Sequence, residues 1–266
     1  MTRAVAGATG RWAGRGPRVD RRSEPEISIA VLQHEPETGP GRFAGVLDEF
    51  GVAYELVRTT RGPLPDPLAF DGALVLGGSL SADDATLVPV RNWIREAVLA
   101  EQPYLGVGLG GQLLARELGA KVRRDRAETG IHEVFLTDAA ARDPLFGSVP
   151  RRFEVFGWHG ESFDLPHAAV PLAGSVDCTY EAFRYGAAAY GLQFHPEVRP
   201  RDLANWHAVP GYRQLSESSG REWDVVVAEL ARASAALDQL ASELLERWLY
   251  VVAGASTLAA RLPAPA

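Results

Sequence analysis

The chain has 266 residues, 46% of them hydrophobic and 23% charged, with a formal net charge of −7. That balance suits one large globular domain, or a domain with an appendage, and excludes a wholly disordered, collagen-like or purely coiled-coil chain. The acidic balance argues against a nucleic-acid binder, no run approaches the roughly 18 apolar residues of a membrane span, and the single cysteine, Cys178, rules out an intrachain disulfide and a cysteine-rich metal site.

Residues 1–27 read as a disordered Arg-rich tail. Arg3, Arg11, Arg15, Arg18, Arg21 and Arg22 outnumber the acids, and Gly7, Gly10, Gly14, Gly16 and Pro17 break any helix. There is no apolar core of a secretory signal. A transit peptide is the functional reading; a tail, or a start codon placed too early, is preferred, and the cytoplasm follows by default. Lys121 is the only lysine among many Arg, Ala, Gly and Pro residues, the usage of a GC-rich bacterial genome.

Residues 27–32 form a β-branched run that predicts a buried strand. Apolar residues at 43, 46, 47 and 50 predict a helix over 42–50. Residues 53–58, 73–76 and 104–107 read as further strands, and 88–100 and 112–118 as helices, with Gly119 as a C-cap. This alternation predicts a mostly parallel, doubly wound α/β sheet, with ligands at the carboxyl ends of its strands. After residue 121 the short runs 134–137, 153–156, 169–173, 182–185 and 189–194 predict hairpins that extend the sheet. From Trp223 small and apolar residues recur at 227, 230, 234, 237, 241, 244 and 248. That seam could join two copies as a homodimer; packing of the 211–266 extension on its own 28–210 domain is the preferred reading.

Gly106-Val107-Gly108-Leu109-Gly110 falls between a predicted strand and a predicted helix. This is the place of a nucleophile elbow, where flanking glycines allow a sharp turn, the middle residue is thrust toward substrate, and the next N–H helps to hold an oxyanion. The middle residue here is Gly108, which has no side chain. The same chain carries, in order, Leu76-Gly77-Gly78, this turn, Trp158-His159-Gly160-Glu161, Ala182-Phe183-Arg184-Tyr185-Gly186, and Gly191-Leu192-Gln193-Phe194-His195-Pro196-Glu197.

This series resembles the class I, triad-type glutamine amidotransferase family over about residues 28–200. The resemblance implies a flavodoxin-like three-layer fold, hydrolysis of the glutamine side-chain amide through a cysteine thioester, and release of ammonia, often to a synthase-type partner. It places the family's cysteine at Gly108, its base and acid at His195, and the glutamate that orients the histidine at Glu197. Its oxyanion donors fall on the N–H groups of Gly78 and Leu109. Gln112 follows the turn as the family's glutamine does, whereas Gly111 stands where many members carry His or Ala. Trp158 and His159 fall on its substrate-side segment; a core Trp beside a hydrogen-bonded His is an equal reading.

Without a thiol, His195 has nothing to activate, and losing one member of such a unit removes most of the rate. Nothing in the sequence brings Cys178 to His195, and Ser79 after a glycine pair is ordinary turn chemistry. Asp83, Asp84 and Glu128 read as solvated surface acids. His34, His132, His167 and His207 show no metal-ligand spacing, so no metal and no other cofactor is expected. Three readings stand. The first is a protein without ordinary glutaminase activity that binds a glutamine-like or γ-glutamyl ligand, or performs altered amide chemistry with His195 and Glu197. The second is an inert regulatory subunit of a synthase-type partner. The third is a cysteine-to-glycine trapped form of an active amidotransferase or γ-glutamyl hydrolase.

Overall fold

Buried β-branched and leucine-rich runs build the central strands. In the computed structural model, which describes residues 27–255, they lie in one nine-stranded sheet. The tail expected over residues 1–27 falls outside the described residues, apart from Ile27. The first half of the chain supplies β1 (Ser28–Gln33), α1 (Arg42–Glu49), β2 (Ala53–Arg58), β3 (Gly72–Val75), α2 (Val88–Leu99), β4 (Tyr104–Val107) and α3 (Leu109–Glu117). The second half supplies β5 (Val122–Leu136), β6 (Arg152–Phe163), β7 (Val170–Gly174), β8 (Ala182–Tyr185), β9 (Ala189–Leu192), α4 (Pro200–Trp206), α5 (Pro210–Ser219) and α6 (Trp223–Ala255).

The strand order is β2-β1-β3-β4-β9-β8-β7-β5-β6. From β2 to β9 every pair is parallel, and from β9 onward every pair is antiparallel, so the sheet is mixed. Apart from the edge strand β2, the parallel strands are buried on both faces, as helix-covered strands must be. Residues of α1 and α6 belong to the core on one face, and residues of α2 and α3 to the core on the other, which gives the three layers.

Two features depart from the elements predicted. The runs at 134–137 and 153–156 are only parts of strands 15 and 12 residues long. The front of β5 is charged and exposed, so it carries no apolar alternation to betray it. Helices α4 and α5 were not anticipated; each begins with proline at its first position, where the missing N–H costs nothing. Helix α6 starts at Trp223, and its buried face includes Val226, Leu230, Leu237, Leu244, Trp248 and Val252. Gly72 of β3 lets Trp248 and Val252 approach: a Cβ there would lie 3.2 Å from the Trp248 ring. Among the described residues no helix is long and apolar enough to cross a membrane.

Candidate functional site

Gly108 follows β4 and caps α3 with φ 52° and ψ −117°, a conformation that L side chains adopt only under strain. Its N–H donates to the Leu192 carbonyl of β9 at 2.9 Å, and its own carbonyl accepts from Gln112 N at 3.0 Å. The neighbouring glycines are required by close approach. A Cβ at Gly106 would lie 2.4 Å from the Gly110 carbonyl carbon, one at Gly110 would lie 2.1 Å from Val75 O, and one at Gly111 would lie 2.6 Å from Leu192 O. Position 111 therefore has no room for the His or Ala of the resemblance without a shift of α3 off β9.

His195 and Glu197, just after β9, are both buried. His195 Nδ1 lies 2.8 Å from Glu197 Oε1, so Nδ1 carries the proton that the carboxylate accepts. The pair is tied down from several sides. His195 N donates to Phe156 O at 2.8 Å, and Arg42 N donates to Glu197 O at the same distance. The buried Arg42 guanidinium also reaches the Val198 carbonyl, Asp238 and Ser234, which ties the segment to α1 and α6. Gly41 lets this happen: a Cβ there would lie 2.0 Å from Glu197 O. The Trp206 ring meets the His195 ring edge-to-face, with centroids 5.4 Å apart.

The imidazole packs directly on Gly108. A Cβ at position 108 would lie 2.5 Å from His195 Cε1 and 2.6 Å from Nε2, and one at Gly77 would lie 2.6 Å from Cε1. The ring thus fills the volume that a side chain at 108 would need.

A cavity of about 560 Å³ opens at this point, at the carboxyl ends of the parallel strands. Its floor is Gly78, Gly108, Leu109, Gln112 and His195, so the structure brings the predicted residues of three separate segments together. Leu109 lies in the first turn of α3, where N–H groups have no partner within the helix. Gln112 donates through Nε2 to Glu161 O at 3.0 Å. Trp158 and His159 line the wall. Trp158 sits among Phe156, Trp206, Tyr212 and Trp223, with centroid separations of 5.7 to 6.5 Å.

Ser79 also lines the cavity, but its hydroxyl donates to Glu35 Oε1 at 2.5 Å, which commits it to a carboxylate. Cys178 is buried away from the cavity lining. Burial, then the charge of Glu181, push its thiol up, so it is no spare nucleophile. Glu128 is not the solvated acid expected: Oε1 lies 3.4 Å from His132 Nδ1, and Oε2 lies 3.3 Å from His159 Nε2. Asp83 is exposed and pairs with Arg116, whereas Asp84 is half-buried and caps a turn at Thr86.

Sequence reasoning missed the remaining wall. Arg124, Asp125, Arg126 and Ala127 line the cavity where the β5–β6 register shifts between Arg124 and Glu128, which throws Asp125, Arg126 and Ala127 out of the ladder. Gly211, Tyr212, Gln214, Leu215 and Ser218 of α5 close the other side. Tyr212 stacks on Trp206 at 4.5 Å, and its phenol is pushed well up by burial and then by Glu35. The aromatic residues after the His-Pro-Glu segment were the available signal for this wall.

Known proteins fit this geometry. The family model described as "Glutamine amidotransferase class-I" matches residues 44–205. The glutamine amidotransferase-like protein YfeJ of Salmonella typhimurium is 28% identical over 219 residues, covering 77% of this chain and 89% of that one. A glutamine-hydrolysing GMP synthase of Thermotoga sp. is 37% identical over 129 residues, which is 48% of this chain but only 24% of the synthase. One subunit of the glutamine-hydrolysing GMP synthase of Thermococcus kodakarensis is 36% identical over 121 residues, 44% of this chain and 61% of that relative. Among solved structures, a glutamine amidotransferase of Thermotoga maritima superposes with a TM-score of 0.75 at 27% identity, over 85% of this chain and 99% of that chain. One from Methylobacillus flagellatus superposes with a TM-score of 0.77 at 25% identity, over 85% and 96%. On the match of residues 44–205 to the family model and the superposition on solved glutamine amidotransferases, the chain belongs to the class I glutamine amidotransferase family.

Proposed function

We propose that this chain is an amidotransferase-like protein whose nucleophile position, Gly108, is bare, so that it lacks ordinary glutaminase activity and binds a glutamine-like or γ-glutamyl ligand beside His195 and Glu197. The observation that carries this reading is the placement of the imidazole, 2.5 Å from where a Cβ at 108 would stand. A turn that serves a thiol needs that volume for the thiol. Here the ring occupies it, and the backbone still makes the strained turn.

The other groups suit the same ligand class. With Nδ1–H given to Glu197, Nε2 is left as the acceptor that can take a proton from a water and return it to a leaving amine. The N–H groups of Gly78 and Leu109 suit a carbonyl oxygen that gains negative charge. Arg124 and Arg126 suit a carboxylate and Asp125 suits an ammonium, the two charges of a glutamyl group. A second reading, an inert subunit docked on a synthase-type partner, is supported by relatives in which the matching segment is one part of a larger synthase or of one of its subunits.

The test is ammonia release from glutamine by this protein and by Gly108→Cys, with glutamine binding measured by calorimetry on both. We expect the protein as it stands to bind glutamine or a γ-glutamyl amide and release no ammonia. Once the imidazole yields by about 1 Å, the cysteine variant should turn glutamine over at least about 10²-fold faster and be alkylated at position 108. Ammonia release by the unaltered protein would overturn the role given to Gly108. Silence of both, with no binding, would put the docked-subunit reading in its place.

A further inference from the structure

A second cluster of chemistry-bearing side chains extends inward from the cavity wall, with which it shares His159, and takes no part in the reading above. His159, Cys178 and Glu181 are all buried, and their ligand-type atoms lie within 4.8 Å of one another. Glu128, His132 and Glu181 form an adjoining group within the same limit. These residues come from β5, from β6 and from the segment between β7 and β8, so no sequence spacing reveals them. Their convergence is a product of register. Glu128 faces His159 across the β5–β6 ladder, and Gly157 leaves its side of β6 bare so that the His132 ring can lie over it. A Cβ at Gly157 would stand 2.6 Å from His132 Cε1.

The cluster is also unsatisfied. His159 Nδ1 and Glu181 Oε2 are buried without a hydrogen-bond partner, and His159 Nε2 meets only Glu128 Oε2, at 3.3 Å. Buried polar groups are nearly always paired, and leaving a carboxylate oxygen unpaired in the interior is costly. Glu181 is fully buried, and its Oε1 is held by His132 Nε2 at 2.9 Å, which leaves Oε2 presented to the cluster. Imidazole, carboxylate and thiol are the ligand set of a zinc site.

We propose that His159, Cys178 and Glu181 bind one divalent transition metal ion, zinc by ligand type, with Glu128 as the fourth ligand and His132 orienting the Glu181 carboxylate. Ligands about 2.0–2.1 Å from a tetrahedral ion stand about 3.3 Å apart, which is the separation of His159 Nε2 and Glu128 Oε2. The His159, Cys178 and Glu181 ligand atoms, within 4.8 Å of one another, draw in by up to about 1.5 Å through side-chain rotation, and the Glu128 carboxylate, already beside His159 and grouped with Glu181, turns in to complete the site. The Cys178 thiolate and the Glu181 carboxylate neutralise the dication, His132 faces the Glu128 carboxylate at 3.4 Å, and binding releases the thiol proton to solvent. His132, gripping the Glu181 carboxylate from behind, is the kind of outer partner that metal-bound carboxylates have. The ion would pin the β5–β6 wall of the cavity, through His159, to the loop that carries Cys178. This replaces the expectation from spacing alone that the chain has no metal site.

The test uses the tag-free full chain, stripped with a chelator and titrated with Co²⁺ as a spectroscopic stand-in for zinc. We expect one ion per chain, tetrahedral ligand-field bands and a thiolate-to-metal charge-transfer band, with zinc displacing the cobalt. Cys178→Ser should lose the charge-transfer band and bind at least tenfold more weakly, His159→Gln should bind more weakly, and His195→Ala should bind as the parent does. No stoichiometric uptake by the parent protein, or a cobalt spectrum without the thiolate band, overturns the proposal, and neither result depends on a variant folding. Loss of uptake in His195→Ala with normal uptake in Cys178→Ser would also overturn it, since it would move the ion to the cavity floor.

Discussion

At the scale of single residues, burial sets the chemistry of His34. His34, at the end of β1, is buried, with Nδ1 3.2 Å from Thr59 Oγ1. Burial pulls its imidazolium down to about 4, against a weaker opposing hydrogen bond with Leu76. An unfolded histidine titrates near 6.5. Between those values the unfolded chain takes up a proton that the folded protein refuses. The stability contributed by neutral His34 is therefore complete above about pH 6.5 and is lost as the pH falls toward 4, by about 3 kcal/mol in all. His34→Gln should flatten this acid dependence by up to one proton, read as the urea midpoint at about pH 7 and about pH 4.5. Equal slopes for the two proteins would refute the assignment, whatever the variant does to stability overall. The identities of His195, Glu197 and Gly108 were legible in the sequence because fixed local strings carry them. The collision between the 195 ring and position 108 was not, because it depends on β4 and β9 lying side by side.

At the scale of elements, two helical glycines have opposite meanings. Gly45 is exposed in the middle of α1, and a Cβ there would meet nothing within 4 Å. Gly110 is buried in α3, and a Cβ there would lie 2.1 Å from the Val75 carbonyl oxygen. Gly45→Ala should therefore stabilise by about 0.5–1 kcal/mol, because alanine has the better helix propensity and less freedom to lose. Gly110→Ala should destabilise by about 3 kcal/mol, because α3 must move off β3. Chemical denaturation of the two variants beside the parent decides both, and similar shifts of the same sign would refute the packing argument. The helices α1 and α2 were legible because each shows one apolar stripe to the sheet, and α3 because its helix formers run from 112 to 118 and end at Gly119. The β5–β6 ribbon was not. Its front is solvated and charged, so the alternation that marks a half-buried strand is missing where the cavity wall is formed.

At the scale of the whole molecule, α6 belongs to the sheet. Its buried residues join the same core cluster as Ile29, Val31, Phe43 and Leu74 of β1, α1 and β3. It also carries Asp238 and Ser234, which hold Arg42 and, through it, the backbone of the His-Pro-Glu segment. Trp248 is completely buried against β3. Trp248→Ala should cost about 3–5 kcal/mol in urea unfolding, the range for deleting a large core aromatic side chain. A cost below about 1 kcal/mol would mean that α6 lies loosely on the sheet. The seam read from the sequence overlaps the buried face at 230, 237, 241, 244 and 248, but the packed face also takes in 226, 233, 240, 245, 249 and 252. A heptad seam is narrow, whereas a helix laid on a sheet buries a broad stripe.

By itself the sequence determined the alternation of strands and helices, the glycine turn between β4 and α3, and the adjacency of His195 and Glu197. Each is a local property, set by periodicity, by backbone freedom or by neighbours in the chain. Tertiary structure alone decided which residues face one another across strands: the His195 ring over Gly108, the α5 wall of the cavity, and His159 beside Cys178 and Glu181. Those meetings depend on register and strand order, which arise from packing the whole sheet and leave no spacing in the sequence to read.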